Sequence, residues 1–359
     1  MENTQPKEKL STDHFSCPSC GAEAQFNPKT QMLICPYCNN ESYIDNQTGV
    51  DEQNIDDLFE NAKVWDETEI IQCENCGAKE SISKGQIATH CSFCGTPNIV
   101  KTSEIVGMTP HGVCPFQFDN VEASKFAKKW VKKRHFAPNK FKKSAEAKAI
   151  SGVYSPAFTF DCATDSVYSG RLGRTRSRTV VGSDGKLQRE TYTEYFNISG
   201  KHSTTHDDII VHASSNISSI MLDKLGRYPT NESLAYDQKY LAGYSANAYA
   251  INGQQAWEQG KAKIDYNIQK EVLKKYQHDT VASFNAKTEY KNRSFKYLLL
   301  PVFIGHHKFK EKIYNFYING CTGQVTGKAP VSWVKVLFAV LGGIIAVGAA
   351  VALYMLGNK

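Results

Sequence analysis

The chain has 359 residues, with 42 Lys/Arg against 36 Asp/Glu and a formal net charge of +6. At about 150 residues per domain this length allows about two domains with accessory pieces. An apolar content of 41% excludes wholesale disorder.

The total charge hides a division. Residues 1–102 hold 7 Lys/Arg against 16 Asp/Glu, a net of −9, and residues 103–359 hold 35 against 20, a net of +15. Such asymmetry bears on partners rather than on fold. No apolar run follows Met1, so no secretory signal peptide is expected.

In chain order, residues 1–14 are polar. Residues 15–46 carry Cys17, Cys20, Cys35 and Cys38, and residues 71–102 carry Cys73, Cys76, Cys91 and Cys94. Both segments read C-x2-C-x14-C-x2-C, close to the spacing of a four-cysteine zinc site. Two knuckles bring four thiolates to one tetrahedral ion at about 2.3 Å. Each knuckle is followed by Gly21, Asn39, Gly77 or Gly95, residues that accept the left-handed backbone a tight knuckle turn requires. Disulfides would need an oxidising compartment. Two structural zinc ribbons, with Zn2+ as cofactor, are therefore predicted. Four cysteines per ion leave no open position for catalysis.

Residues 47–70 form an acidic linker. Within it, residues 51–69 hold eight acids and Lys63, with Ile55, Leu58, Phe59, Ala62 and Trp65 at helical spacing. A short amphipathic helix is predicted there. Counting thiolates and two zinc ions, the N-terminal part carries about −13. Phosphate binding relies on Lys and Arg releasing counterions, so protein docking or scaffolding suits these ribbons better than direct contact with nucleic acid.

The body spans residues 103–330. A helix is predicted over 119–136, with Asp119 and Glu122 as a capping pair and Ala123, Phe126, Ala127, Trp130 and Val131 as its apolar stripe. Strand texture follows at 157–163, 191–198 and 208–213, with a hairpin turn at Ser183-Asp184-Gly185. A second helix is predicted over 254–276 and further strands over 297–304 and 312–319. The fold class is α+β with a mostly antiparallel sheet.

Residues 125–143 hold nine Lys/Arg and no acid, interleaved with Phe126, Trp130, Phe136 and Phe141. Lys128, Lys129, Lys132, Lys133, Arg134, Lys142 and Lys143 are the candidate binding residues. Such a stretch suits an anionic lipid surface, nucleic acid, the chain's own acidic N-terminal part, or a solvated face over a packed stripe. Arg171, Arg174, Arg176 and Arg178 form a second basic group on the predicted hairpin.

Residues 336–357 are 22 residues without a charge. At 1.5 Å per residue they extend about 33 Å, enough for a hydrocarbon core of about 30 Å. Trp333 and Tyr354 sit where interfacial aromatics occur. A transmembrane helix is predicted over 333–357, with the N-terminal domains in the reducing cytosol. Gly342, Ala346 and Ala350 form a small-residue face on which homo-oligomers can pair.

Catalytic signatures are weak. There is no H-E-x-x-H or G-x-S-x-G. His202 and His206 are four apart, but Ser203-Thr204-Thr205 is a poor helix sequence. Gly323 to Lys328 is one residue short of a phosphate loop, with Ala329 where Ser or Thr belongs, and is expected to be a turn. Cys114, Cys162 and Cys321 are expected to be buried apolar side chains.

Taken with the Cys17–Cys20 knuckle, residues 132–138, 152–161 and 300–330 make the chain resemble a bacterial membrane protein family. That family has tandem TFIIB-type zinc ribbons and is often labelled as primosomal-helicase-like. The resemblance implies a ribbon, α+β body and membrane-span architecture, and an association with membrane-organising scaffolds. It does not extend to a helicase motor, which needs a phosphate loop. The expectation is a non-enzymatic, single-pass adaptor at the inner membrane. It would recruit protein partners to the cytoplasmic face, with envelope stress as a candidate setting. The alternative is a membrane-tethered nucleic-acid-binding regulator.

Overall fold

The computed structural model describes residues 15–45, 49–60, 68–83, 91–93, 99–102, 108–144, 150–181, 183, 185–214, 216–247, 251–310 and 312–357. Three short strands, β1 (Gln25–Asn27), β2 (Met32–Ile34) and β3 (Glu41–Ser42), form a separate antiparallel sheet around the first cysteine set. Its apolar side chains Phe26, Leu33 and Ile44 do not form a core of their own. They join the largest core of the body, with Phe116, Trp130, Tyr154 and Phe303. A domain this small cannot bury enough surface alone, and it shares the core of the body.

The predicted acidic helix appears as α1 (Ile55–Glu60), preceded by β4 (Gln53–Asn54). Ile55 and Leu58 are buried, whereas Ala62 and Trp65 lie outside the described residues. The second cysteine set is carried on β5 (Thr68–Cys73), β6 (Lys79–Ser83) and β7 (Ile99–Thr102). These strands continue the main sheet, because β6 pairs with the body through Ala246↔Ser81 and Asn247↔Glu80.

After β8 (Gly112–Val113) comes α2 (Asn120–Lys132), capped by Asp119, whose carboxylate accepts the Glu122 amide at 2.9 Å. Ala123, Ala127, Trp130 and Val131 are its buried face, as the stripe predicts. A short α3 (Asn139–Ser144) follows Pro138.

The body is built on three long strands: β9 (Ile150–Val181), β10 (Leu187–His212) and, after the intervening elements, a third. The hairpin turn lies between Val181 and Leu187, which pair in register. Then come α4 (Ser219–Asp223), β11 (Leu234–Ala235), β12 (Ser245–Asn247) and α5 (Gly253–Leu273). The third long strand is β13 (Thr280–Phe309), followed by β14 (Lys312–Asn319), β15 (Val325–Gly327) and α6 (Trp333–Gly357). Apart from the β12–β9 and β13–β8 pairs, the ladders are antiparallel.

Burial along β9 records what covers it. Between Val153 and Phe160 nearly every residue is buried, because both sheet faces are covered. Tyr154, Phe158 and Phe160 join the cores shared with α2 and α5, while Val153 belongs to the core that holds Leu222 and Ala157 to the one that holds Tyr228. From Cys162 to Tyr168 burial alternates, as on a strand covered on one face. Beyond Gly173 the hairpin outruns α5 and is exposed on both faces. Gly260 lets α5 approach closely: a Cβ there would lie 2.9 Å from the Phe160 ring.

Helix α6 is exposed along its length and, among the described residues, is the one helix long and apolar enough to cross a membrane.

Candidate metal centres and basic surface

In the first cysteine set, Cys17 and Cys35 are buried while Cys20 and Cys38 are exposed. Cys17 Sγ is 3.4 Å from Cys38 Sγ, and Cys20 Sγ is 3.5 Å from Cys35 Sγ. All four sulfurs lie within 4.8 Å of one another. A disulfide would need about 2.05 Å, whereas a zinc tetrahedron with arms of about 2.3 Å has edges of about 3.8 Å. The donor set therefore fits a tetrahedral thiophilic ion.

The turns that hold these sulfurs are those the sequence predicts. Gly21 and Asn39 sit at φ 72° and 57°. Their amides close onto the carbonyls of Cys17 and Cys35 at 2.8 and 2.9 Å. Burial pushes the Cys17 thiol up, but the amides of Ser19 and Cys20 and the adjoining thiols bring it down to about 6. The Asn40 amide pulls the Cys38 thiol down, yet the Cys17 and Cys20 sulfurs outweigh it and raise it to about 12. Four thiolates this close repel one another, and a dication removes that cost.

In the second set, Cys73, Cys76 and Cys91 lie within 4.8 Å of one another, with Cys76 Sγ 3.6 Å from Cys91 Sγ. Gly77 is at φ 73°. Cys94 and Gly95 lie outside the described residues. These two clusters can hold metal ions.

Glu80, which the sequence reading overlooked, supports the second set. It is 3% exposed and accepts the Ser92 amide at 3.0 Å, the Ser92 hydroxyl at 2.7 Å and the Ser245 hydroxyl at 2.7 Å. It thus ties the Cys91 knuckle to β12. Only the pairing of distant strands brings these partners together, so no local pattern marks it.

The acidic segment docks on β13, not on the basic stretch. Gln53 and Asn54 pair with Phe295 and Ser294. Glu52 accepts the Ser294 hydroxyl and lies 3.5 Å from Lys296 Nζ, which is 3.0 Å from Asp208. Glu52, Asp161 and Asp207 form a third group of potential ligands. Burial, then hydrogen bonding to Glu52, pushes the Asp161 carboxyl up to about 8. The proton it donates holds Glu52 below the usual carboxylate range. Bulges on both neighbouring strands, at Asp208 and Asn292, each at φ 50°, open the ladder around Asp161.

The basic stretch occupies α2, α3 and their connection. Lys128, Lys129, Lys132, Lys133 and Arg134 are exposed, and among the described residues no acidic side chain pairs with them. Arg134 stacks over the Trp130 ring at 4.3 Å. Lys142 donates to the Lys132 carbonyl at 3.2 Å. Lys143 lies on α3, at its penultimate position.

The connection is fastened to the start of α6. Lys335 Nζ donates to the Ala137 carbonyl and to Asn139 Oδ1, each at 2.7 Å. The Ser332 amide donates to the Phe136 carbonyl at 2.7 Å.

The hairpin arginines differ. Arg176 pairs with Glu194 at 2.9 Å and Arg178 with Glu190 at 2.8 Å, while Arg171 and Arg174 stack on Tyr195 and Phe196. His202 and His206 are on strand β10, not on a helix. His202 meets Glu271 and Lys275 at 3.0 Å each, whereas buried His206 meets Thr164 at 3.3 Å. The segment after Asn319 is a turn, with Gly323 at φ 73°. Cys114 and Cys162 are buried, and burial raises the thiols of Cys162 and Cys321 to about 11 and about 12.

Fold and clusters define an α+β protein with N-terminal cysteine clusters, a mostly antiparallel body and a C-terminal apolar helix. The chain is similar to a Bacillus subtilis (strain 168) protein called "Uncharacterized protein YdjG". The two are 30% identical over 328 residues, which cover 90% of this chain and 91% of the relative. The chain belongs to the YdjG family. No protein-family profile matches it, and neither does any solved structure.

Proposed function

We propose that this protein is a non-enzymatic adaptor anchored in the membrane by α6, with two structural Zn2+ ions in TFIIB-type ribbons that dock protein partners in the cytosol. One observation carries this reading: the basic stretch, whose Lys128, Lys129, Lys132, Lys133 and Arg134 are exposed, is hydrogen-bonded to the root of the apolar helix through Ser332 and Lys335. With α6 in a bilayer, those cations meet the headgroups, where each Lys or Arg contributes about 1 kcal/mol on an anionic leaflet. The thiolate sites suit the reducing side.

The first ribbon adjoins the opposite end of α2, where Lys29 pairs with the capping Asp119 at 2.7 Å. A helix of 13 residues sets it about 20 Å from the root of α6. It presents Tyr37 and Tyr43, 80% and 77% exposed, of the residue type enriched at protein interfaces. Two of the hairpin arginines, Arg176 and Arg178, are paired with Glu194 and Glu190, which weakens the support for the nucleic-acid alternative.

Crosslinking in membranes tests the reading, by comparing the intact chain with Tyr37→Ala/Tyr43→Ala. Loss of the partner set with unchanged membrane location is expected; an unchanged partner set contradicts a docking role for the ribbon. Metal analysis of the purified chain is expected to return two zinc ions, and one or none would contradict the ribbon assignment.

A further inference from the structure

A cavity of about 340 Å3 lies where the α2–α3 connection meets the segment leading into α6. Lys133, Arg134 and His135 are among the residues that line it, and Phe136, Pro330 and Val331 supply apolar walls. The size suits a small-molecule group, and the lining is divided between cationic and apolar parts. Phe136 and Val331 are 47% and 61% exposed, and Trp333, Val334 and Leu337 continue this apolar surface onto α6.

The backbone around the cavity is fixed. Lys335 spends its ammonium on the carbonyls of His135 and Ala137 and on Asn139, so it holds the wall and is not free for a ligand. Lys133 and Arg134 have no carboxylate partner among the described residues.

We propose that this cavity binds the phosphate-bearing headgroup of one anionic phospholipid. Lys133 and Arg134 take the phosphate, and the acyl chains lie along Val331, Val334 and the first turns of α6. The inference rests on the placement of α6 in the bilayer and names the lipid class that the basic surface selects. Lys133 and Arg134 both line the pocket, and an ammonium and a guanidinium together complement a phosphodiester. A lipid also supplies the two-part ligand that the lining calls for, charged at one end and apolar at the other. A free phosphate would leave the apolar walls uncovered.

The test uses the full chain in neutral detergent micelles, with native mass spectrometry of retained lipid. Phosphatidylglycerol and phosphatidylcholine are offered in turn. One phosphatidylglycerol per chain is expected to be retained at least about tenfold more tightly than phosphatidylcholine. Lys133→Gln/Arg134→Gln should lose that preference. Lys270→Gln/Lys274→Gln, which removes the same charge from the end of α5 and the residue that caps it, should keep it.

Equal retention of both lipids would overturn the proposal. So would an equal loss in the two variants, or displacement of the lipid by millimolar inorganic phosphate. Alkaline carbonate extraction of membranes, run on the same chains, separates the two levels. If the wild-type chain resists extraction, the anchor stands whatever the lipid result. If it is extracted, the anchor and the lipid site fall together.

Discussion

The acidic segment around residues 51–60 and the basic stretch at 125–143 are the charge extremes of the chain, yet no ion pair joins them among the described residues. The acidic one is docked: β4 adds to β13, Glu52 reaches Ser294 and Lys296, and Leu58 packs into the notch left by Gly253. The basic one buries its apolar stripe and leaves Lys128, Lys129, Lys132, Lys133 and Arg134 exposed, and its connection is tied to the root of α6. Opposite charge alone therefore does not decide which segments meet. Strand pairing and apolar burial fix the acidic segment, and the charges are then satisfied locally.

The sharpest way to break this contrast is to neutralise the basic side. In a chain ending at residue 332, replacing Lys128, Lys129, Lys132, Lys133 and Arg134 by Gln should weaken binding to phosphatidylglycerol vesicles by on the order of a thousandfold. That follows from about 1 kcal/mol per cation. Replacing Arg171, Arg174, Arg176 and Arg178 should change it by less than about tenfold, because their charges are already paired or stacked. Vesicle sedimentation measures both, and equal losses would erase the distinction.

The acidic side is probed by pH. Asp161, pushed up to about 8 by burial and by Glu52, keeps a proton that the unfolded chain releases near 3.9. Its contribution is complete below about pH 4 and disappears as pH rises through about 8. Glu52 moves the opposite way, so the pair shares one proton over that range. Above it two carboxylates face one another, and the dock loosens. Hydrogen-exchange protection of residues 53–58 should fall several-fold between pH 6.5 and 9, and the fall should vanish in Asp161→Asn. A pH-independent protection factor in the wild type would remove the shared proton.

The smallest effect belongs to the rim of the same dock. Arg293 and Asp56 are 3.6 Å apart, with Asp56 exposed and Arg293 half-buried. Asp56→Asn should lower stability in urea by under about 1 kcal/mol. A larger loss would show that charge, rather than strand pairing, holds the segment.

Much of this was legible wherever the pattern is local. Gly21, Asn39 and Gly77 adopt the left-handed turns the knuckles require, Asp119 caps α2, and the face of Trp257, Ile264, Ile268 and Val272 on α5 is buried. Strand length was not legible. Residues 174–181 and 187–195 are largely exposed on both faces, so they carry no apolar period-2 signal, and how far the predicted hairpin extends is seen only by following its register. Non-local pairing was likewise hidden. Nothing near Ser81 announces Ala246, and nothing near Glu80 announces Ser245. The site around Asp161 depends on two bulges, which insert residues without changing composition.

The central claim is that α6 crosses a bilayer with the basic stretch seated at its root. Alkaline carbonate extraction of cells producing the full chain tests it most directly, beside a chain lacking residues 336–359. The full chain is expected to stay with the membrane pellet and the shortened one to leave it. A full chain recovered in the soluble fraction would contradict it.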